Sequence, residues 1–271
     1  MLSNNFVKNN ALVVRGGLLA DYYCDDVPTV GIESIEDVIN VFELAIPKAE
    51  KTKNGAVYTP KYIRDYILER VVAIQRKPLQ NCLAIDIACG CGAFLFSLAD
   101  YLHSHCELSY REAVQRLYGV DISELSVNRC KILLSLAALL NNEMLVDEDF
   151  HISQGNSLEF DFTTMPRVVE NGGFDIVVGN PPYVRAKHID DESKVLLSRW
   201  QVARCGNADL YLPFFEIACG ILREDGVLGY ITLNSFFKSV NARLLRSYFR
   251  SSNTALEIVD FGDQLIFGKT L

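Results

Sequence analysis

Residues 180–183 read Asn180-Pro181-Pro182-Tyr183. Two successive prolines fix the backbone and remove two N–H donors, which leaves carbonyl oxygens as acceptors. Asn180 adds a side-chain carbonyl and Tyr183 a flat face. A rigid set of acceptors beside an aromatic ring suits a planar group that carries an NH2. The plain alternative is a proline-rich turn. The run at 174–179 just before it, apolar but for Asp175, favours the chemical reading.

Three earlier apolar runs also end in residues that can hold a ligand. The first leads into Asp86-Ile87-Ala88-Cys89-Gly90-Cys91-Gly92. Glycines there let the backbone turn tightly and approach a ligand. Leu95 stands where a dinucleotide fingerprint wants its third glycine. Asp86 would repel a pyrophosphate and attract a cation. The second run ends in Gly119-Val120-Asp121-Ile122. Asp121 can accept from ribose hydroxyls, and Ile122 can cover an adenine face. The third is followed by Asn156 and Ser157, where Asn156 can read an adenine edge. Together these suit a nucleoside with a positive charge.

Such residues need elements to position them. Strands are expected at 83–88, 117–122, 150–154, 174–179, 227–233 and 256–261. Helices are expected at 93–102, 124–140, 210–222 and 240–249. A further helix begins at Pro60 with Thr59 as its N-cap and the stripe Ile63, Ile67, Leu68, Val71 and Ile74. The strands are continuous rather than alternating, as in strands covered on both faces. Alternating β and α then gives a doubly wound parallel sheet, with ligands at the carboxyl ends of its strands. Residues 1–50 read as an N-terminal helical extension and linker. Its amphipathic helix, 34–45, has Ser34 as N-cap and Asp37 at the third position. Residues 51–271 read as one catalytic domain.

The chain has 271 residues, 49% hydrophobic and 22% charged, with net charge −8. That is globular composition, without a stretch apolar enough to span a membrane. The acidic balance argues against a surface that grips nucleic acid everywhere. Eight scattered cysteines, with no export signal, read as free thiols in a cytoplasmic protein. Cys89-Gly90-Cys91 has the wrong spacing for zinc. Residues 103–106 read as a polar helix end, so no metal is expected.

At these motifs the chain resembles S-adenosylmethionine-dependent amino-methyltransferases. It most resembles the N6-adenine DNA methyltransferases of bacterial restriction-modification systems, in the N-P-P-Y class of type IIG and type I-like catalytic domains. The resemblance runs from about Gly55 to Leu271. Residues 55–60 match the motif that contacts the methionine part of the cofactor, 86–92 the first cofactor motif, and Asp121 and Ile122 the ribose acid and its neighbour. Asn156 stands where the family usually carries Asp. Residues 207–214 resemble the helix motif that backs the active site, and 259–269 the motif whose Phe stacks on a flipped base.

The resemblance implies a Rossmann-like sheet completed by a final antiparallel strand beyond this chain. It implies S-adenosylmethionine held by Tyr58, Thr59, Pro60, Asp86, Ala88, Gly90, Gly92, Asp121, Ile122, Asn156 and Ser157. Asn180, Pro181, Pro182 and Tyr183 would be catalytic, with Tyr183 and Phe267 stacking on the target base. DNA is the implied partner, with sequence recognition by a domain or specificity subunit outside this chain. The alternatives are an RNA-base or protein-glutamine methyltransferase, and a non-catalytic cofactor-binding subunit, which the intact tetrapeptide disfavours. No nuclease pattern is evident.

Overall fold

The computed structural model describes residues 33–46, 55, 57–204, 207–252 and 254–262. Five strands form one sheet: β1 (Ala84–Asp86), β2 (Leu117–Asp121), β3 (His151–Gln154), β4 (Phe174–Gly179) and β5 (Leu222–Tyr230). Their order is β3-β2-β1-β4-β5, and every neighbouring pair is parallel. β4 is buried along its whole length. Its side chains alternate between two cores, with Phe174 and Val177 on one face and Ile176 and Val178 on the other. This is why the run is apolar at every position but Asp175.

Helices α1 (Ile35–Leu44), α2 (Lys61–Ile74), α3 (Ala93–Cys106), α4 (Tyr110–Val114), α5 (Glu124–Leu140), α6 (Pro166–Glu170), α7 (Asp191–Leu197), α8 (Tyr211–Ile221) and α9 (Arg243–Ser251) flank the sheet. α2, α3, α4 and α5 cover one face. α6 to α9 supply the core of the other. From β1 the chain winds outward to β2 and β3, then returns to build β4 and β5 on β1's other side. The reversal between β1 and β4 opens a crevice at their carboxyl ends, where such sheets bind ligands.

α1 forms a third cluster with α5. Its Ile35, Val38, Ile39, Val41 and Phe42 are buried against Ile132, Leu133 and Leu136. The expected capping box is present, with Asp37 N–H donating to Ser34 Oγ and Ser34 N–H to Asp37 Oδ2. A fully buried apolar side chain contributes about 1.5–3 kcal/mol, and a cap about 1 kcal/mol. Burial on α5 therefore dominates the docking of α1.

The structure corrects several expectations. Pro60, not Thr59, is the N-cap of α2, and no side chain caps that helix. Ile74, placed on its buried stripe, is 49% exposed. β5 starts at Leu222 rather than 227. Phe174 pairs with Leu222 but Ile176 with Val227, so residues 223–226 bulge out, with Asp225 at φ +63. Residues 254–262 form no strand, and Leu256, Ile258 and Val259 are about half exposed. The short helices α4, α6 and α7 were not anticipated. Cys82, Cys89, Cys91 and Cys130 are buried free thiols, while Cys106 and Cys219 are partly exposed.

Candidate active site

Asp86 ends β1 at the crevice and is 3% exposed. Its Oδ1 accepts from the Ala88 N–H at 2.9 Å. Burial pushes its pKa up to about 7, against the Ala88 hydrogen bond and with help from Asp121's charge. Gly179 ends the adjacent β4 at φ +152, and a Cβ there would lie 2.6 Å from Asp86 Oδ1. Glycine at 179 thus lets this carboxylate lie against the strand that delivers Asn180.

Asp121 ends β2. Its carboxylate accepts from the Gly90 N–H at 2.8 Å and the Ser123 N–H at 2.9 Å, so it shapes the glycine loop as well as facing the cavity. After β3, Asn156 Oδ1 accepts from the Leu158 N–H. Ser157 Oγ donates to the Ile87 carbonyl. Trp200 Nε1 donates to the Leu158 carbonyl at 3.1 Å, which ties the segment after the tetrapeptide to this loop.

Asn180 is held from several sides. Its Nδ2 donates to the Val57 carbonyl at 2.9 Å and meets Thr59 Oγ1 at 3.0 Å. A carbonyl can only accept, so the amide nitrogen must face Val57 and the oxygen must face the other way. That oxygen accepts from the Tyr183 hydroxyl. The same hydroxyl lies 3.0 Å from the Ile231 carbonyl, and its one proton can serve only one acceptor at a time. Burial raises the Tyr183 pKa, so the hydroxyl keeps that proton.

The 57–60 segment is anchored from α1. Arg64 is fully buried. It donates to Glu36 Oε2, the Thr59 carbonyl and Ser97 Oγ. The Tyr58 hydroxyl donates to Glu36 Oε1 at 2.7 Å. Burial, then Glu36, pushes the Tyr58 pKa up to about 12.

These groups enclose a cavity of about 260 Å³. Of the expected cofactor residues, Tyr58, Thr59, Asp86, Ala88, Gly90, Asp121, Ile122, Asn156 and Ser157 line it. Pro60 and Gly92 do not. Gly92, at φ +88, starts α3, and a Cβ there would lie 2.4 Å from Cys130 Sγ on α5. Its constraint is helix packing. Of the expected catalytic residues, Asn180 and Pro182 line the cavity. Pro181 is buried, and Tyr183 is not among the lining residues; its hydroxyl donates to Asn180 Oδ1. Phe267 lies outside the described residues.

Sequence reasoning missed Glu43 and Ile46 at the end of α1 and His188, Ile189, Asp190 and Ser193 after the tetrapeptide, all of which line the cavity, and the close approach of Gly179 to Asp86. Glu36 and Glu43 are seven residues apart, two turns on one helix face, and that spacing was the available signal. Glu43, Asp86, Asp121 and Asp190 are among the lining, and no Lys or Arg is, among the described residues. Such a wall fits a cationic ligand and disfavours a phosphate. It therefore fits the sulfonium and ammonium of S-adenosylmethionine.

The sequence profile described as Eco57I restriction-modification methylase matches residues 115–267, more than half of the chain. Among curated relatives, the Type II restriction enzyme and methyltransferase RM.Eco57I of Escherichia coli is 28% identical over 272 residues, covering 82% of this chain and 27% of its own length. The Type II methyltransferase M.BstVI of Geobacillus stearothermophilus is 29% identical, covering 76% of this chain and 38% of its own. The chain thus spans well under half of the length of these relatives. The fold is shared with the Type IIL restriction-modification enzyme MmeI, solved in complex with DNA, at a TM-score of 0.61 and 17% identity over 81% of this chain and 36% of that one. On its sequence, this chain belongs to the Eco57I restriction-modification methylase family.

Proposed function

We propose that this domain transfers a methyl group from S-adenosylmethionine to the N6 amino group of an adenine flipped out of DNA, within a restriction-modification or related defence system. The observation that carries the reading is the fixed orientation of Asn180, whose amide nitrogen is spent on Val57 and Thr59. Only its oxygen is left to act, as an acceptor in the wall of a carboxylate-lined cavity.

An adenine amino nitrogen is a weak nucleophile because its lone pair is delocalised into the ring. Asn180 Oδ1 and the Pro181 carbonyl accept its two hydrogens, which favours a pyramidal nitrogen. The Tyr183 hydroxyl can give its proton to the Ile231 carbonyl instead, releasing a lone pair on Asn180. The bound cofactor supplies an already activated methyl. The residues contribute positioning and electrostatics, and the reaction passes through no covalent enzyme intermediate. Pro182 borders the base, and Tyr183 and Phe267 are the proposed stacking partners, at roughly 1–3 kcal/mol per stacked base. The net charge of −8 supports a division of labour in which a recognition domain or subunit makes most phosphate contacts.

The test is Asn180→Ala. Tritiated methyl transfer to DNA should fall at least about a hundredfold, while cofactor affinity by calorimetry stays unchanged. Wild-type turnover in this variant would end the proposal. Transfer by the wild type to RNA or protein in place of DNA would reassign the substrate.

A further inference from the structure

One end of the cavity has no group assigned to it by the proposed function. Asp121, Ile122 and Asn156 mark the end suited to a nucleoside, and Asp86 and Asn180 the middle. The rest of the lining includes Tyr58, Gly90 and, from the C-terminal end of α1, Glu43 and Ile46. We propose that Glu43, on α1, binds the ammonium of the cofactor's amino-acid end, an assignment that rests on the S-adenosylmethionine reading.

Three observations carry it. The first is position. A Cβ built on Gly90 would meet a single neighbour within 4 Å, Glu43 Oε1 at 3.9 Å. The glutamate therefore stands across a gap from the glycine loop, and both face the cavity. The second is charge. An ammonium entering at this end meets no Lys or Arg among the described lining residues.

The third is rigidity. Cys91 Sγ donates to Glu43 Oε1 at 3.2 Å. Burial and then Glu43's charge hold the Cys91 thiol well above its ordinary pKa, so it stays a donor. Arg129, 6% exposed, donates to the carbonyl of the preceding Phe42. Two turns further back on the same face, Glu36 is locked by buried Arg64. A carboxylate mounted this firmly is pre-organised for a cation. The family profile begins at residue 115, so α1 lies outside the part of the chain that it describes.

The experiment is calorimetry of the full chain with S-adenosylmethionine, S-adenosylhomocysteine and 5′-methylthioadenosine, which has the nucleoside but no ammonium. Glu43→Gln keeps the shape and an oxygen for Cys91. It should weaken the first two ligands together, roughly tenfold, and leave 5′-methylthioadenosine within about twofold. Cys91→Ala, which keeps the charge, should cost less than about threefold. Unchanged S-adenosylhomocysteine affinity in Glu43→Gln, an equal loss for 5′-methylthioadenosine, or an equal loss in Cys91→Ala would each overturn the assignment. A wild-type chain that binds neither cofactor form would instead overturn the cofactor reading on which it rests.

Discussion

Asp86 and Asp175 are carboxylates sealed inside adjacent strands, at opposite ends of the sheet, and they are held in opposite ways. Asp175, near the start of β4, is fully buried. It accepts from the Leu83 N–H at 2.8 Å, Lys77 Nζ at 2.9 Å, Asn171 Nδ2 at 3.0 Å and Arg223 Nε. Burial alone would raise its pKa, but Leu83, Lys77 and Arg223 outweigh burial and hold it below the ordinary carboxylate value. Asp86, at the other end, has one hydrogen bond, from Ala88, among the described residues. Its pKa rises to about 7. The lower end of the sheet neutralises its buried charge with protein. The upper end leaves its charge for something that arrives from outside.

The largest effect should come from breaking the satisfied end. Asp175→Asn keeps the shape but strands Lys77 and Arg223 without their anion. Removing one partner of a buried pair costs about 3–5 kcal/mol. The side chains of Lys77 and Arg223 are 25% and 24% exposed and can turn toward water, so a loss of about 3 kcal/mol is expected at pH 7 by denaturant titration. Cofactor affinity of the folded protein should not change. A stable variant with impaired binding would erase the contrast between the two ends.

Asp86→Asn sharpens it. A carboxyl whose folded pKa is raised contributes stability that is fully present below its unfolded value, near 4, and lost as pH rises through about 7. In that window the wild type should lose about 1.4 kcal/mol per pH unit relative to the variant. The variant therefore gains on the wild type from about pH 4 to about pH 7 and gains no more above it. It should also bind S-adenosylmethionine roughly tenfold more weakly, with little change for the neutral sulfur of S-adenosylhomocysteine. Parallel stability curves for the two proteins over that pH range would show that Asp86 is not poised as described.

The smallest effect tests the scaffold of the upper end. Thr59→Val removes one acceptor from Asn180 and leaves the Val57 carbonyl. One hydrogen bond contributes about 0.5–1.5 kcal/mol, so turnover should drop a few-fold, with KM for the cofactor nearly unchanged. A drop as deep as that expected of Asn180→Ala would mean that Thr59 takes part in the chemistry.

The sheet was legible because strands buried on both faces are written as continuous apolar runs. The strand-end acids and Asn180 were legible because chemistry in such sheets follows the strands. What escaped depended on contacts between distant residues. Thr59 before Pro60 reads as a helix cap, but its hydroxyl meets an amide 121 residues later. Gly92 reads as a ligand-approach glycine, but Cys130 sets its constraint. Residues 256–261 have the composition of a strand, yet among the described residues no strand pairs with them, and 256–260 lie exposed. Glu43 reads as the polar face of a separate helix until α5 buries that helix's other side.

The chain carries a single tryptophan, and Trp200 donates its indole N–H to the carbonyl of Leu158, a residue of the cavity wall. Its emission therefore originates beside the loop that is expected to close on the adenine. Occupancy of the cavity can be followed as intrinsic fluorescence, without a label and without competing indoles, and in stopped flow the same signal would time the arrival of the nucleoside.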